Sequence, residues 1–102
     1  MPWYVYLAYF FAGVFLANGI PHFVHGISGK RFSSPFAEPP AGESSAVVNV
    51  IWGMVNFAAG YALMFGVGKF RFGLTIDVLM VGIGALVTAV GLAWQFGRVR
   101  SR

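Results

Sequence analysis

The chain contains no cysteine, which excludes disulfide frameworks, zinc–thiolate centres and dithiol redox chemistry. Charge is nearly as scarce: 10% of the 102 residues are charged, where ordinary soluble domains carry about 25%. Only three residues are acidic and only two are histidine; a dedicated metal site would ordinarily show a third ligand beside the two histidines, no other His or Cys exists, and no cofactor is expected. The seven lysines and arginines lie in loops and at the end of the chain, so no basic face exists to follow phosphates, and nucleic acid is excluded as a partner. What fills the sequence instead is apolar: 58% hydrophobic residues, with 11 phenylalanines and 14 glycines. A soluble globule cannot be coated from this composition, and the lipid bilayer becomes the expected surroundings.

A helix needs about 20 apolar residues to cross a hydrocarbon core about 30 Å thick. Three stretches qualify, at about 3–24, 46–67 and 74–96, and none holds Lys or Arg inside. The expected fold is all-α: a polytopic membrane protein, a single bundle of three transmembrane helices with one long polar loop at about 26–45. Trp3, Tyr4, Tyr6 and Tyr9 open a full-length first span, unlike the basic start and short apolar core of a cleaved signal peptide, so this segment is expected to be retained. The loop carries Lys30, Arg31, Pro35, Glu38, Pro39, Pro40, Gly42 and Glu43, a composition that neither continues a helix nor stays in lipid. Ser44 or Ser45 is suited to cap the second helix. The second connection is short, and Gly66, Gly68 and Gly73 allow a tight reversal, which predicts an antiparallel hairpin of the second and third helices.

With three spans, Lys30, Arg31, Arg98, Arg100 and Arg102 share one side, against Lys69 and Arg71 on the other. The excess of basic residues on the cytoplasmic side of membrane proteins then places the C-terminus inside and the N-terminus outside.

Polar and small residues recur on stripes. Asn49, Gly53, Asn56 and Gly60 stand at offsets of 4, 3 and 4, on one narrow helical face. In the third segment Asp77, Gly84, Thr88, Gly91 and Gln95 stand at offsets of 7, 4, 3 and 4. Association in lipid relies on close approach at small residues and on interhelical hydrogen bonds, so Gly53, Gly60, Gly84, Thr88 and Gly91 are read as helix-packing positions and both stripes as inward-facing. The other reading is that they line a narrow path for a substrate or ion.

Asn18, His22 and His25 share a face at the end of the first segment, and Pro21 is expected to kink the helix by removing a bond to the Ala17 carbonyl. The plain reading makes the histidines interfacial groups bonded to the loop and to headgroups. Proton or ligand handling and axial haem or metal ligation are the functional ones. Asp77 is the only acid in or beside an apolar span, which makes it a functional suspect unless it lies in the first turn at the interface, where an acid suits the helix dipole. Asp77 and the histidines fall at opposite ends of the bundle. Asp77 is expected to meet Tyr6, Tyr9, Tyr61 or Arg71, and His22 to meet Asn49. The candidate functional residues are thus His22, His25, Asn18, Asn49, Asn56 and Asp77.

The run FLANGIPHFVHGISGKRFSSPFAEPP, followed by VNVIWGMVNFAAGYALMFGV, resembles small bacterial inner-membrane proteins and, in layout, the DoxX-like family. The shared pattern is a first span ending in Gly19 and His22, a Pro-containing loop, and a second span running from a polar residue, Asn56, to Gly66. The resemblance implies a place beside membrane oxidoreductase complexes. The chain departs from the family in having three spans rather than four, and Asn56 where an acid is common.

No nucleophile, base and orienting group converge in the sequence, so no enzyme is expected. Three helices leave much surface for lipid, which points to a homo-oligomer or a larger membrane protein partner. The leading expectation is a non-enzymatic accessory or interaction subunit using the loop Gly26 to Ser45. A small oligomeric transporter or proton-coupled permease, and a subunit of a membrane redox complex, are the alternatives.

Overall fold

A computed structural model describes residues 2–32 and 43–100, with side chains to Gly97. Among them three helices follow in order: α1 (Trp3–Ile27), α2 (Ala46–Phe65) and α3 (Ile76–Arg100). Each is long and apolar enough to cross a membrane. At about 1.5 Å per residue, the 25 residues of α1 and the 20 of α2 extend about 37 Å and 30 Å.

The first helix runs three residues past its expected end and continues through Pro21, so both histidines are helical. It stops in a Schellman turn: Gly29 takes φ +73°, the Gly29 amide donates to the Gly26 carbonyl at 3.0 Å, and the Lys30 amide to the His25 carbonyl at 2.9 Å. Ser45 caps α2, its hydroxyl accepting from the Val48 amide at 3.2 Å. Thr75 does the same for α3, accepting from the Val78 amide at 3.3 Å. The central part of the polar loop, 33–42, lies outside the described residues, as does Arg102.

The expected hairpin of α2 and α3 is not what forms. Both helices pack on α1, and among the described residues their backbones do not approach each other. The reason lies in two faces of α1. Val5, Ala12, Gly19 and Gly26, seven residues apart, are all buried and face α2 and the chain that follows it. A Cβ added at Gly19 would lie 2.9 Å from the Gly53 carbonyl, and one at Gly26 2.7 Å from the Ala46 carbonyl, so these backbones meet directly. The buried Gly13 turns instead to α3, where an added Cβ would strike the Val81 carbonyl. The connection at 66–75 is accordingly no tight reversal. Gly68 lies on Val5 and on the Tyr9 hydroxyl, where a Cβ would come within 2.7 Å and 3.2 Å, and only Gly73 needs a left-handed backbone, at φ +103°.

The α2 stripe is inward as expected: Asn49, Gly53, Asn56 and Gly60 are the buried residues of that helix. The α3 stripe is inward only in its first half. Asp77 and Gly84 are buried and Thr88 is half-buried, whereas Gly91 and Gln95 are exposed and a Cβ at Gly91 would meet nothing within 4 Å. Gly91 is therefore not a packing position within this chain, because no helix of the chain covers that part of α3.

Candidate functional site

The polar residues form two clusters at opposite ends. At the loop end, Asn49 is fully buried, and its amide nitrogen donates to three carbonyls: Phe32 at 3.0 Å, Ser44 at 3.2 Å and Ser45 at 3.0 Å. With the nitrogen committed to carbonyls, the amide oxygen faces α1, 2.9 Å from Nδ1 of His22. That nitrogen must therefore carry the proton and donate, which leaves Nε2 as the basic nitrogen of a neutral His22. His25 follows the same logic, since its Nδ1 stands 2.7 Å from the Pro21 carbonyl and must donate to it. Asn56 repeats the device two turns along α2. Its amide nitrogen donates to the Trp52 carbonyl at 2.8 Å, and its oxygen accepts from Asn18 at 3.0 Å.

Phe32, which the sequence did not single out, is the hub of this end. It is buried and pairs with Ser44 as an isolated antiparallel bridge, with N–H to O distances of 3.2 Å and 2.8 Å. Its ring stacks on His25 at 4.0 Å, meets His22 edge-on at 5.4 Å, and touches Phe96 of α3 at 4.7 Å. The bridge closes the base of the loop, and Asn49 ties that base to α2. The signal that marks Phe32 is its place between a basic pair and a serine–proline run, at the point where an extended chain leaves the helix cap.

At the other end Asp77 sits in the first turn of α3 and is fully buried. Arg71 supplies its bonds: the backbone amide and Nε donate to one carboxylate oxygen at 3.0 Å and 3.1 Å, and Nη2 to the other at 3.3 Å. The hydrogen bond and charge of the carboxylate hold the Arg71 guanidinium above the usual arginine range. Of the expected partners of Asp77, Arg71 is the one that bonds it. Asp77 and Phe96 are separated by about 28 Å of helix, so the two clusters cannot act as one.

Tyr9, packed edge-on against Phe70 at 5.2 Å, is fully buried, and its hydroxyl has no hydrogen-bond partner among the described residues. An unsatisfied buried polar group costs about 1–3 kcal/mol. Tyr9→Phe is therefore expected to leave stability unchanged or raise it, by up to about 1 kcal/mol. Reversible unfolding in mixed micelles measures this, and a loss of stability in the variant would reveal a partner for the hydroxyl.

Among the described residues no group of three or more His, Asp or Glu is placed to hold a metal ion. No family model matches the chain, and neither a curated protein nor a solved structure matches it. The reading of function therefore rests on the residues themselves.

Proposed function

We propose that the chain is a non-enzymatic accessory subunit of a membrane assembly, completed by a second copy or by helices of a larger membrane protein. The observation that carries this reading is the uncovered half of the α3 stripe. Gly91 and Gln95 continue the face that Asp77 and Gly84 turn to α1, yet nothing among the described residues covers them, and the Gln95 amide has no partner there. In lipid a small residue next to an amide is the composition of a helix-packing seam. The polar residues that a transport path would use are engaged with one another: Asn18 with Asn56, His22 with Asn49, and Asp77 with Arg71. That pairing favours the subunit reading over a permease. The loop, with its base held by the Phe32–Ser44 bridge and by Asn49, is the second contact site we assign.

Our reading of the location is a bacterial inner membrane, with the N-terminus outside and the C-terminus in the cytoplasm. It is supported by the basic residues of the first loop and the tail, whose shared end is marked by the Phe32–Phe96 contact. A role beside a membrane redox complex rests on the DoxX-like layout of the sequence alone.

Gly91→Leu tests the proposal. The variant is expected to fold as the parent does, because its side chain enters open space, and to lose crosslinking in cells and co-purification in mild detergent. Gly82→Leu, also open, serves as the control. Unchanged association in Gly91→Leu, or a parent chain that stays alone under crosslinking, would count against the reading.

A further inference from the structure

We propose that the connection between α2 and α3 binds the phosphate headgroup of an anionic phospholipid, with an acyl chain lying along the start of α3. This rests on the membrane reading above and adds a ligand class to it. The connection carries Lys69 and Arg71, and the only acid near them in sequence, Asp77, is fully buried. Asp77 offsets the charge of Arg71, so these three residues carry a net positive charge from Lys69, while the groups that reach the surface are both cationic. Lys69 is exposed and has no partner among the described residues. Arg71 is held by Asp77 along one edge of its guanidinium, through Nε and Nη2, while its side chain stays 59% exposed and Nη1 makes no bond among the described residues. Asp77 thus acts as a positioning residue that fixes the fork with its other edge outward, a geometry suited to phosphate oxygens.

The apolar half of the site adjoins the basic one. Phe72 is 71% exposed and Leu74 is fully exposed, a placement that fits the boundary of a bilayer and not a face in water. Gly73, Leu74, Thr75, Ile76, Val78 and Leu79 line a groove of about 420 Å³ beside them. A chain of methylenes matches that lining; Arg71, bonded to Thr75 and Asp77 of the same turn, and Lys69 two residues before it match a phosphate that carries net charge better than a zwitterionic headgroup.

Photolabelling of the purified full chain in nanodiscs tests this. Phosphatidylglycerol and phosphatidylcholine, each with a diazirine on an acyl chain, are compared, and adducts are mapped by mass spectrometry. Phosphatidylglycerol is expected to label residues 70–79 severalfold more than phosphatidylcholine. Lys69→Gln should reduce that labelling about fivefold, the loss expected for one basic group near a membrane surface. Equal labelling by the two lipids, or an unchanged preference in Lys69→Gln, overturns the proposal. Loss of the preference on adding millimolar inorganic phosphate overturns it too, in favour of a free phosphate site. Extraction of the chain by alkaline carbonate is a separate result that overturns the membrane reading itself. A chain that stays in the membrane pellet yet labels equally overturns only the lipid site.

Discussion

Gly84→Leu is expected to separate α1 from α3 and to cost at least the roughly 1–3 kcal/mol of ordinary overpacking. A Cβ at Gly84 would overlap the Phe10 carbonyl oxygen and stand 2.8 Å from its carbon. Gly13 has the reciprocal relation to the Val81 carbonyl, with the Ala85 nitrogen 2.7 Å away. Where the obstacle is the far end of a side chain, a rotamer change relieves the clash. Here it is backbone on both sides, so relief requires moving one helix bodily away from the other. Moving α3 also disturbs the Phe32–Phe96 contact at the far end, because α3 packs on no helix but α1. Unfolding in mixed micelles measures the loss, with Gly82→Leu as a substitution on the same helix that meets nothing within 4 Å. Gly13→Leu combined with Gly84→Leu should cost less than the sum of the two, since either alone opens the same seam. A Gly84→Leu protein as stable as the parent would mean that the two backbones do not meet as described.

The same seam shows which parts of the fold could be read from sequence. In a soluble helix the buried face stands out because the opposite face is polar. In these helices both faces are apolar, and only small or polar residues carry directional information. The α2 stripe was legible because Asn49, Gly53, Asn56 and Gly60 all face one neighbour. The repeat Val5, Ala12, Gly19, Gly26 in α1 was hidden, since Val and Ala are unremarkable in an apolar run and the aromatic start and the histidines draw attention away. Nor does a stripe say which helix covers it. That is why the α3 stripe, correct as a pattern, was read as inward along its whole length, and why α3 was expected on α2 when it packs on α1. The glycines of the second connection suggested a tight turn for the same reason: composition shows that a close approach occurs, and not with what.

At the candidate site, local spacing was more informative. His22 and Asn49 could be matched because two long spans joined by a polar loop bring the end of one beside the start of the next. Asp77 and Arg71 lie six residues apart around a helix start, a separation a turn can close. Phe32 escaped notice, and Tyr9 was expected only as an opening aromatic and a partner of Asp77, because the importance of each comes from what packs around it.

Asn49→Ala is expected to cost about 1–3 kcal/mol from the stranded imidazole donor alone, with a further loss from the space left behind. The accounting follows from the partners. The Phe32 and Ser44 carbonyls keep the bonds of their bridge, and the Ser45 carbonyl keeps the Asn49 backbone amide at 3.1 Å, so none of the three is orphaned. The group left without a partner is the His22 Nδ1–H, buried between Phe32 and Trp52 rings at 5.4 Å and 6.5 Å. His22→Ala together with Asn49→Ala should therefore cost less than the two changes added, with a coupling of about 0.5–3 kcal/mol. Asn49→Asp is the sharper variant, because a carboxylate keeps the acceptor for His22 but sets its second oxygen against three carbonyl oxygens. It is expected to release the loop base from α2 and to speed proteolysis between 30 and 45, where Asn49→Ala, which leaves the Phe32–Ser44 bridge bonded, speeds it less. Additive effects in the double variant would show that His22 and Asn49 do not depend on each other. Equal proteolysis in the Asp and Ala variants would show that the amide does not hold the loop.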